Sequence, residues 1–193
     1  MEEIIEWYKN LNNKIQLLIK VSCFVLAISL LTVLFINLFY APMMISGNSM
    51  NPSLENKDIV IIDKRAYKNN EPARFDLIAF KYRFDYSQKY IKRIIGLPGE
   101  TVYILDDAIY IKGKDETEYT QLKEYYGIFL GDPQLTECNP VTLEEDEYFV
   151  LGDNRYDSDD SRGSVGIVKK KTIIGKAVFR LYPFNGIGSL KYQ

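Results

Sequence analysis

The sequence predicts a mainly β protein in which one N-terminal transmembrane helix precedes an all-β domain. Two observations carry that prediction. Val21–Tyr40 (VSCFVLAISLLTVLFINLFY) is an uncharged run of twenty residues, and a helix of that length covers about 30 Å, the thickness of a bilayer core. From Asp58 to Tyr182 the chain then alternates short β-branched and aromatic segments with turn-forming residues, the pattern of a folded sheet built from short strands.

Residues 1–20 form a polar N-terminal segment, and residues 21–40 the anchor. Leu17, Leu18 and Ile19 extend the apolar run beyond Lys20, whose aliphatic stem can lie along an apolar surface while its charge stays in water. A cleavable secretory signal is the competing reading. The run is long for one, and no small-x-small cleavage site clearly follows it. Lys9, Lys14 and Lys20 precede the run, whereas the first basic residue after it is Lys57. The positive-inside rule then expects a single-pass protein of the cell membrane, with a cytoplasmic N-terminus and residues 41–193 on the extracytoplasmic face.

Within residues 41–193 the strands are expected at Asp58–Asp63, Phe75–Tyr82, Tyr90–Ile95, Thr101–Leu105, Ala108–Ile111, Glu147–Leu151 and Thr172–Tyr182. Leu97-Pro98-Gly99 stops the third, and Asp106-Asp107 is a hairpin signal between the next two. Residues 112–140 are acidic, rich in Tyr and irregular, and read as an insertion.

Composition removes several function classes. The 24 basic and 26 acidic residues leave a net charge of −2 with no basic tail, so nucleic-acid binding has no electrostatic footprint. There is no His, which excludes a Ser–His–Asp triad, a Cys–His pair and histidine zinc sites within this chain. Acid–base chemistry near neutral pH falls to Asp, Glu, Lys, Tyr or Cys. Cys23, in the apolar run, and distant Cys138 do not imply a disulfide framework.

Three stretches hold chemistry-bearing residues. Ser46-Gly47-Asn48-Ser49-Met50-Asn51-Pro52-Ser53-Leu54 can expose a hydroxyl nucleophile beside backbone N–H groups; alone, it reads equally as a linker after a membrane helix. In Tyr90–Glu100, strand alternation puts Tyr90, Lys92 and Ile94 on one face and Ile91, Arg93 and Ile95 on the other. Desolvation there lowers a lysine pKa; alone, Lys92 also reads as an edge-strand lysine that blocks aggregation. Leu151–Gly163 (LGDNRYDSDDSRG) is dense in side chains that bond backbone. It also reads as a solvated acidic turn. As a calcium loop it lacks the required Gly, replaced by Arg162, and the Glu at the twelfth position.

Together, in this order and behind an anchor, the three stretches resemble the boxes of bacterial type I signal peptidases, the Ser–Lys leader peptidases, of Gram-positive kind. S-M-x-P matches Ser49-Met50-Asn51-Pro52. K-R…G-x-P-G-E matches Lys92-Arg93 and Gly96–Glu100. G-D-N…S-x-D-S-R matches Gly152-Asp153-Asn154 with Ser158-Asp159-Asp160-Ser161-Arg162. Ser53 stands where the family usually has Thr, and Lys57-Asp58 where it has Gly-Asp. Gly47 replaces the Ser that some members use as an oxyanion donor.

The resemblance implies a signal-peptidase-like catalytic domain. In it, Ser49 attacks the scissile carbonyl, neutral Lys92 is the general base, and the Ser49 backbone N–H helps hold the oxyanion. Ser158 would orient Lys92, and Asp153, Asp160 and Arg162 would support the site. The substrates would be signal peptides of exported preproteins, cut after Ala-x-Ala. They would bind by strand addition along Met43–Gly47 and Lys89–Lys92, with Ile45, Gly47, Met50, Tyr90 and Ile91 in contact. Partners would be those preproteins and the lipid bilayer, with no nucleic acid, cofactor or metal. A self-cleaving Ser–Lys repressor fits the anchor and third box less well. The rival from another class, a non-enzymatic single-pass protein with an external β domain, gives no reason for the three boxes to occur together.

Overall fold

In the computed structural model, residues 6–8, 11–106, 108–124 and 138–190 are described. The chain divides into two units, residues 1–39 and 40–193.

The first unit holds helix α1, Asn13–Phe39. It is two turns longer at its start than the uncharged run, because Asn13–Lys20 is itself good helix sequence. The Asn12 side-chain carboxamide oxygen accepts from the Lys14 N–H at 3.0 Å, a cap of the usual kind. Leu, Ile, Val and Phe side chains are exposed around its whole circumference, which in water would be unfavourable and in lipid is the expected state. The helix is long and apolar enough to cross a membrane. Lys9 lies outside the described residues.

The strands described in the second unit all pair antiparallel. Its strands are β1 (Tyr40–Met44), β2 (Ile59–Asp63), β3 (Leu77–Lys81), β4 (Lys89–Gly96), β5 (Thr101–Leu105), β6 (Ala108–Lys112), β7 (Thr120–Gln121), β8 (Cys138–Thr142), β9 (Glu147–Leu151), β10 (Val168–Lys169), β11 (Ile173–Tyr182) and β12 (Gly188–Ser189). An eight-stranded sheet runs β1-β2-β11-β3-β4-β9-β10, with β12 on β11; a four-stranded sheet runs β7-β6-β5-β8. Every strand expected from the sequence is present, with ends shifted by at most two residues. Tyr40 begins β1, opposite Asp63, and the helix ends at Phe39. Of the hairpin signal, Asp106 adopts φ +48, and Asp107 lies outside the described residues. So do residues 125–137 of the expected insertion; its flanks supply β7 and β8.

Alternation along β4 shows directly in packing. Ile91 joins a cluster with Ile45, Met50, Leu54, Val60 and Ile62. Ile94 and Tyr90 join another with Ile78, Phe80, Tyr148 and Val150. Ile95 packs with Val102, Ile104, Leu143 and Phe149. β4 is thus buried on both faces, and this holds Lys92 and Arg93 away from water, at 3% and 1% exposure.

Candidate active site

Ser49 sits in a turn that follows β1. The ladder of β1 and β2 continues past Met44, with the Ile45 N–H donating to Asp58 O and the Lys57 N–H to Ile45 O. Gly47, at φ +91, then turns the chain in a conformation that side chains rarely adopt. The Asn51 N–H donates to Asn48 O at 3.0 Å and the Leu54 N–H to Met50 O at 2.9 Å, so the turn is closed around Ser49.

Strand β4 brings Lys92 to this turn from 43 residues away: Lys92 Nζ lies 2.6 Å from Ser49 Oγ. Burial pushes the Lys92 pKa down, against the fields of Asp160, Asp159 and Asp153, which raise it. No carboxylate comes within ion-pair distance of its Nζ among the described residues, so burial prevails. The result is an amine biased towards its neutral form and in contact with a hydroxyl, which is the requirement for a lysine general base.

The third stretch clamps this pair. The Asn154 N–H donates to Ser49 O at 3.0 Å, tying the nucleophile's own carbonyl to the loop after β9. A Cβ on Gly152 would stand 2.4 Å from Ser49 O and 2.2 Å from Ser158 Oγ, so only glycine fits there. Asp153 is fully buried and takes two hydrogen bonds from Arg93, at 2.8 and 2.6 Å. Arg93 also donates to Ser53 Oγ at 3.3 Å, which explains why a hydroxyl follows Pro52. Asp160, also fully buried, receives Arg162 Nε and Nη2 at 2.9 and 2.8 Å and the Gly152 N–H at 3.0 Å.

The remaining expected site residues lie as follows. The Ser158 hydroxyl, expected to orient Lys92, is buried without a hydrogen-bond partner among the described residues. Ile45, Met50 and Ile91, expected as pocket walls, are nearly fully packed into one cluster, leaving half-buried Tyr90 and exposed Gly47 as the accessible members of that set. Arg93 and Arg155 are further supports that the sequence pattern does not mark. Arg155 is 1% exposed, pairs with Glu124, and donates from Nε to Gly152 O at 2.8 Å. Two buried arginines beside carboxylates leave no periodic signal in a sequence; only the third dimension pairs them.

Two strand edges near the site are open. Among the described residues β1 pairs with β2 alone. β9 joins β4 from Arg93 onwards, so the Lys89–Lys92 edge opposite β3 carries no strand among the described residues.

Comparison with known proteins identifies the family. Residues 18–182 match the family model described as signal peptidase, peptidase S26. The chain is 35% identical to signal peptidase I of Bacillus amyloliquefaciens, over 83% of this chain and 86% of that one. It is 36% identical to signal peptidase I S of Bacillus subtilis (strain 168), over 92% and 95%. A solved signal peptidase I from Enterococcus faecalis V583 matches at 37% identity and TM-score 0.46, over 55% of this chain and 97% of that one. The chain belongs to the peptidase S26 family of signal peptidases. It is a serine endopeptidase, a hydrolase, of the signal peptidase I type.

Proposed function

We propose that this peptidase removes signal peptides by a Ser49–Lys92 dyad, cutting after Ala-x-Ala, from an anchor formed by α1 with its N-terminus in the cytoplasm. The observation that carries the reading is the 2.6 Å contact between Ser49 Oγ and the buried Lys92 Nζ.

In this mechanism neutral Lys92 takes the Ser49 proton as Oγ attacks the carbonyl. It then protonates the leaving amine, and afterwards deprotonates the water that releases the acyl group. The Ser49 N–H donates to no acceptor among the described residues and is available to the oxyanion. Asp153, Asp160 and Arg162 hold the loop that fixes Ser49; Ser158 contributes its position against Gly152. The substrate adds as a strand to the open edges at Met43–Gly47 and Lys89–Lys92. Its backbone bonds supply affinity, and small side chains fit against the packed surface of Ile45, Met50 and Ile91, with Tyr90 and Gly47 beside them.

The test is cleavage of an Ala-x-Ala preprotein in detergent by wild type, Ser49→Ala and Lys92→Ala. Wild type should cut after the last Ala, and both folded variants should lose at least about three decades of rate, the scale set by removing a member of a serine-protease triad. Near-wild-type activity in either variant would remove that residue from the mechanism.

A further inference from the structure

The turn that follows β2 is basic. Lys64, Arg65 and Lys68 are all exposed there, and the Lys68 N–H donates to Arg65 O at 3.0 Å, which folds the segment back on itself. Together with Lys170, from the turn between β10 and β11, they line a cavity of about 320 Å³ whose other walls include Tyr67 and Ile174. No acidic residue is among those walls. Two carboxylates stand beside the turn. Asp63 accepts the Arg65 N–H at 2.8 Å, and Glu71 pairs with Lys170. Four cations against two carboxylates leave a positive face on a chain whose net charge is −2.

Sheet register places this face close to where the chain leaves α1. Asp63, the last residue of β2, is the cross-strand partner of Tyr40, and one peptide bond joins Tyr40 to Phe39, the end of α1. Partners in an antiparallel ladder have Cα atoms about 5 Å apart and consecutive residues about 3.8 Å, so the Lys64 Cα lies within about 10 Å of the Tyr40 Cα. The headgroup layer is about 5–7 Å thick on each side of the hydrocarbon, and anionic lipids attract Lys and Arg over a Debye length of about 8 Å. With α1 across a bilayer, the turn is within reach of headgroups whichever way the helix points.

The walls select among anions. Guanidinium and ammonium donors suit phosphate oxygens. The Tyr67 hydroxyl donates to Asp76 Oδ2 at 2.9 Å, which holds its ring as an apolar wall opposite no charge of its own. A free phosphate has no use for such a wall, whereas the glycerol and first methylenes of a lipid do.

We propose that the Lys64–Lys68 turn binds the phosphate of an anionic phospholipid headgroup and so tethers this end of β2 to the bilayer surface. The inference rests on the reading of α1 as a membrane anchor.

The experiment uses the full chain in a neutral detergent, titrated with short-chain phosphatidylglycerol, short-chain phosphatidylcholine or inorganic phosphate, with binding read as a rise in Tm. Phosphatidylglycerol should bind about tenfold or more tightly than either of the others, and its advantage should fade near 1 M salt. Each cation near an anionic surface is worth about fivefold in affinity, so Lys64→Ser, Arg65→Ser and Lys68→Ser combined should weaken phosphatidylglycerol binding by about 100-fold, and Lys68→Glu alone by about fivefold or more. Both variants should cut a soluble Ala-x-Ala peptide at the wild-type rate. Equal binding of the two lipids, or phosphatidylglycerol binding that survives both variants, overturns the proposal. So does inorganic phosphate binding as tightly as the lipid, since the turn is then a plain anion site. The anchor is tested separately: the full chain reconstituted in vesicles should stay with them through a wash near 1 M salt. A chain that washes off overturns the anchor reading itself, and is distinct from one that stays and binds both lipids alike.

Discussion

In the proposed mechanism Lys92 sets both activity and a stability cost. Burial lowers its folded pKa, and the general base that the proposed mechanism needs is the neutral amine. The ratio kcat/KM should therefore rise with pH through that lowered pKa, with a midpoint below the ordinary lysine value of about 10.4. The unfolded chain holds more protons than the folded one between the lowered value and the ordinary one, so stability rises with pH across that window. Below it the cost of burying the charge is fully present. Lys92→Met should thus abolish activity yet raise Tm by a few degrees at pH 7, measured by thermal unfolding; a lower Tm would show that the amine is better solvated than its burial implies. Lys57 offers a second case. It occupies the family's usual Gly position and adopts φ +74, where a Cβ costs roughly 1–2 kcal/mol. Lys57→Gly should stabilise the fold by about 0.5 kcal/mol or more once the greater freedom of unfolded glycine is offset, as read by urea midpoints at constant slope.

Elements matter here through where they touch. Gly96, at the end of β4, and Gly152, after β9, both lack room for a methyl group. At Gly96 the added Cβ would meet Val102 Cγ2 at 2.4 Å, Leu143 Cδ1 at 2.8 Å and Phe149 Cβ at 2.9 Å. These are core contacts away from Ser49. At Gly152 the obstruction is Ser49 O itself. The two substitutions should separate in the readouts. Gly96→Ala should cost about 1–3 kcal/mol of stability with kcat nearly intact. Gly152→Ala should shift the Ser49 turn and lower kcat by about 100-fold. Equal losses of kcat would mean that the two glycines act through the same distortion. β11 shows a related constraint: it pairs with β3 over Ile173–Lys176 and with β2 over Lys176–Tyr182, with register shifts. One strand thus joins the segments that lead to Ser49 and to Lys92.

The molecule as a whole divides into α1 and a β unit, each with its own internal contacts. A helix with no buried residue builds no core of its own, so its contribution should be to location. Residues 40–193 expressed alone should unfold in one cooperative transition and cleave a soluble Ala-x-Ala peptide at the full-length rate. On a preprotein held in vesicles, the truncated form should be slower by about 100-fold or more, because shared confinement in one bilayer raises effective concentration. Equal rates on the vesicle-held preprotein would remove that role from the helix.

Sequence alone determined the apolar helix and seven of the twelve described strands, because these are written in local pattern, an uncharged run and short β-branched segments between turn residues; the three boxes were legible through the family resemblance. The absence of His narrowed the choice of base before any fold was known. Only the tertiary structure decided that Lys92 reaches Ser49, that burial rather than a carboxylate governs its charge, and that Asn154 clamps the Ser49 carbonyl. It also decided that Ile45, Met50 and Ile91 are packed rather than open, and that Arg93 and Arg155 are buried with Asp153 and Glu124. The physical reason is separation along the chain. Burial and ion pairing depend on which distant segments meet, and residues 43 to 60 positions apart carry no local mark of their contact.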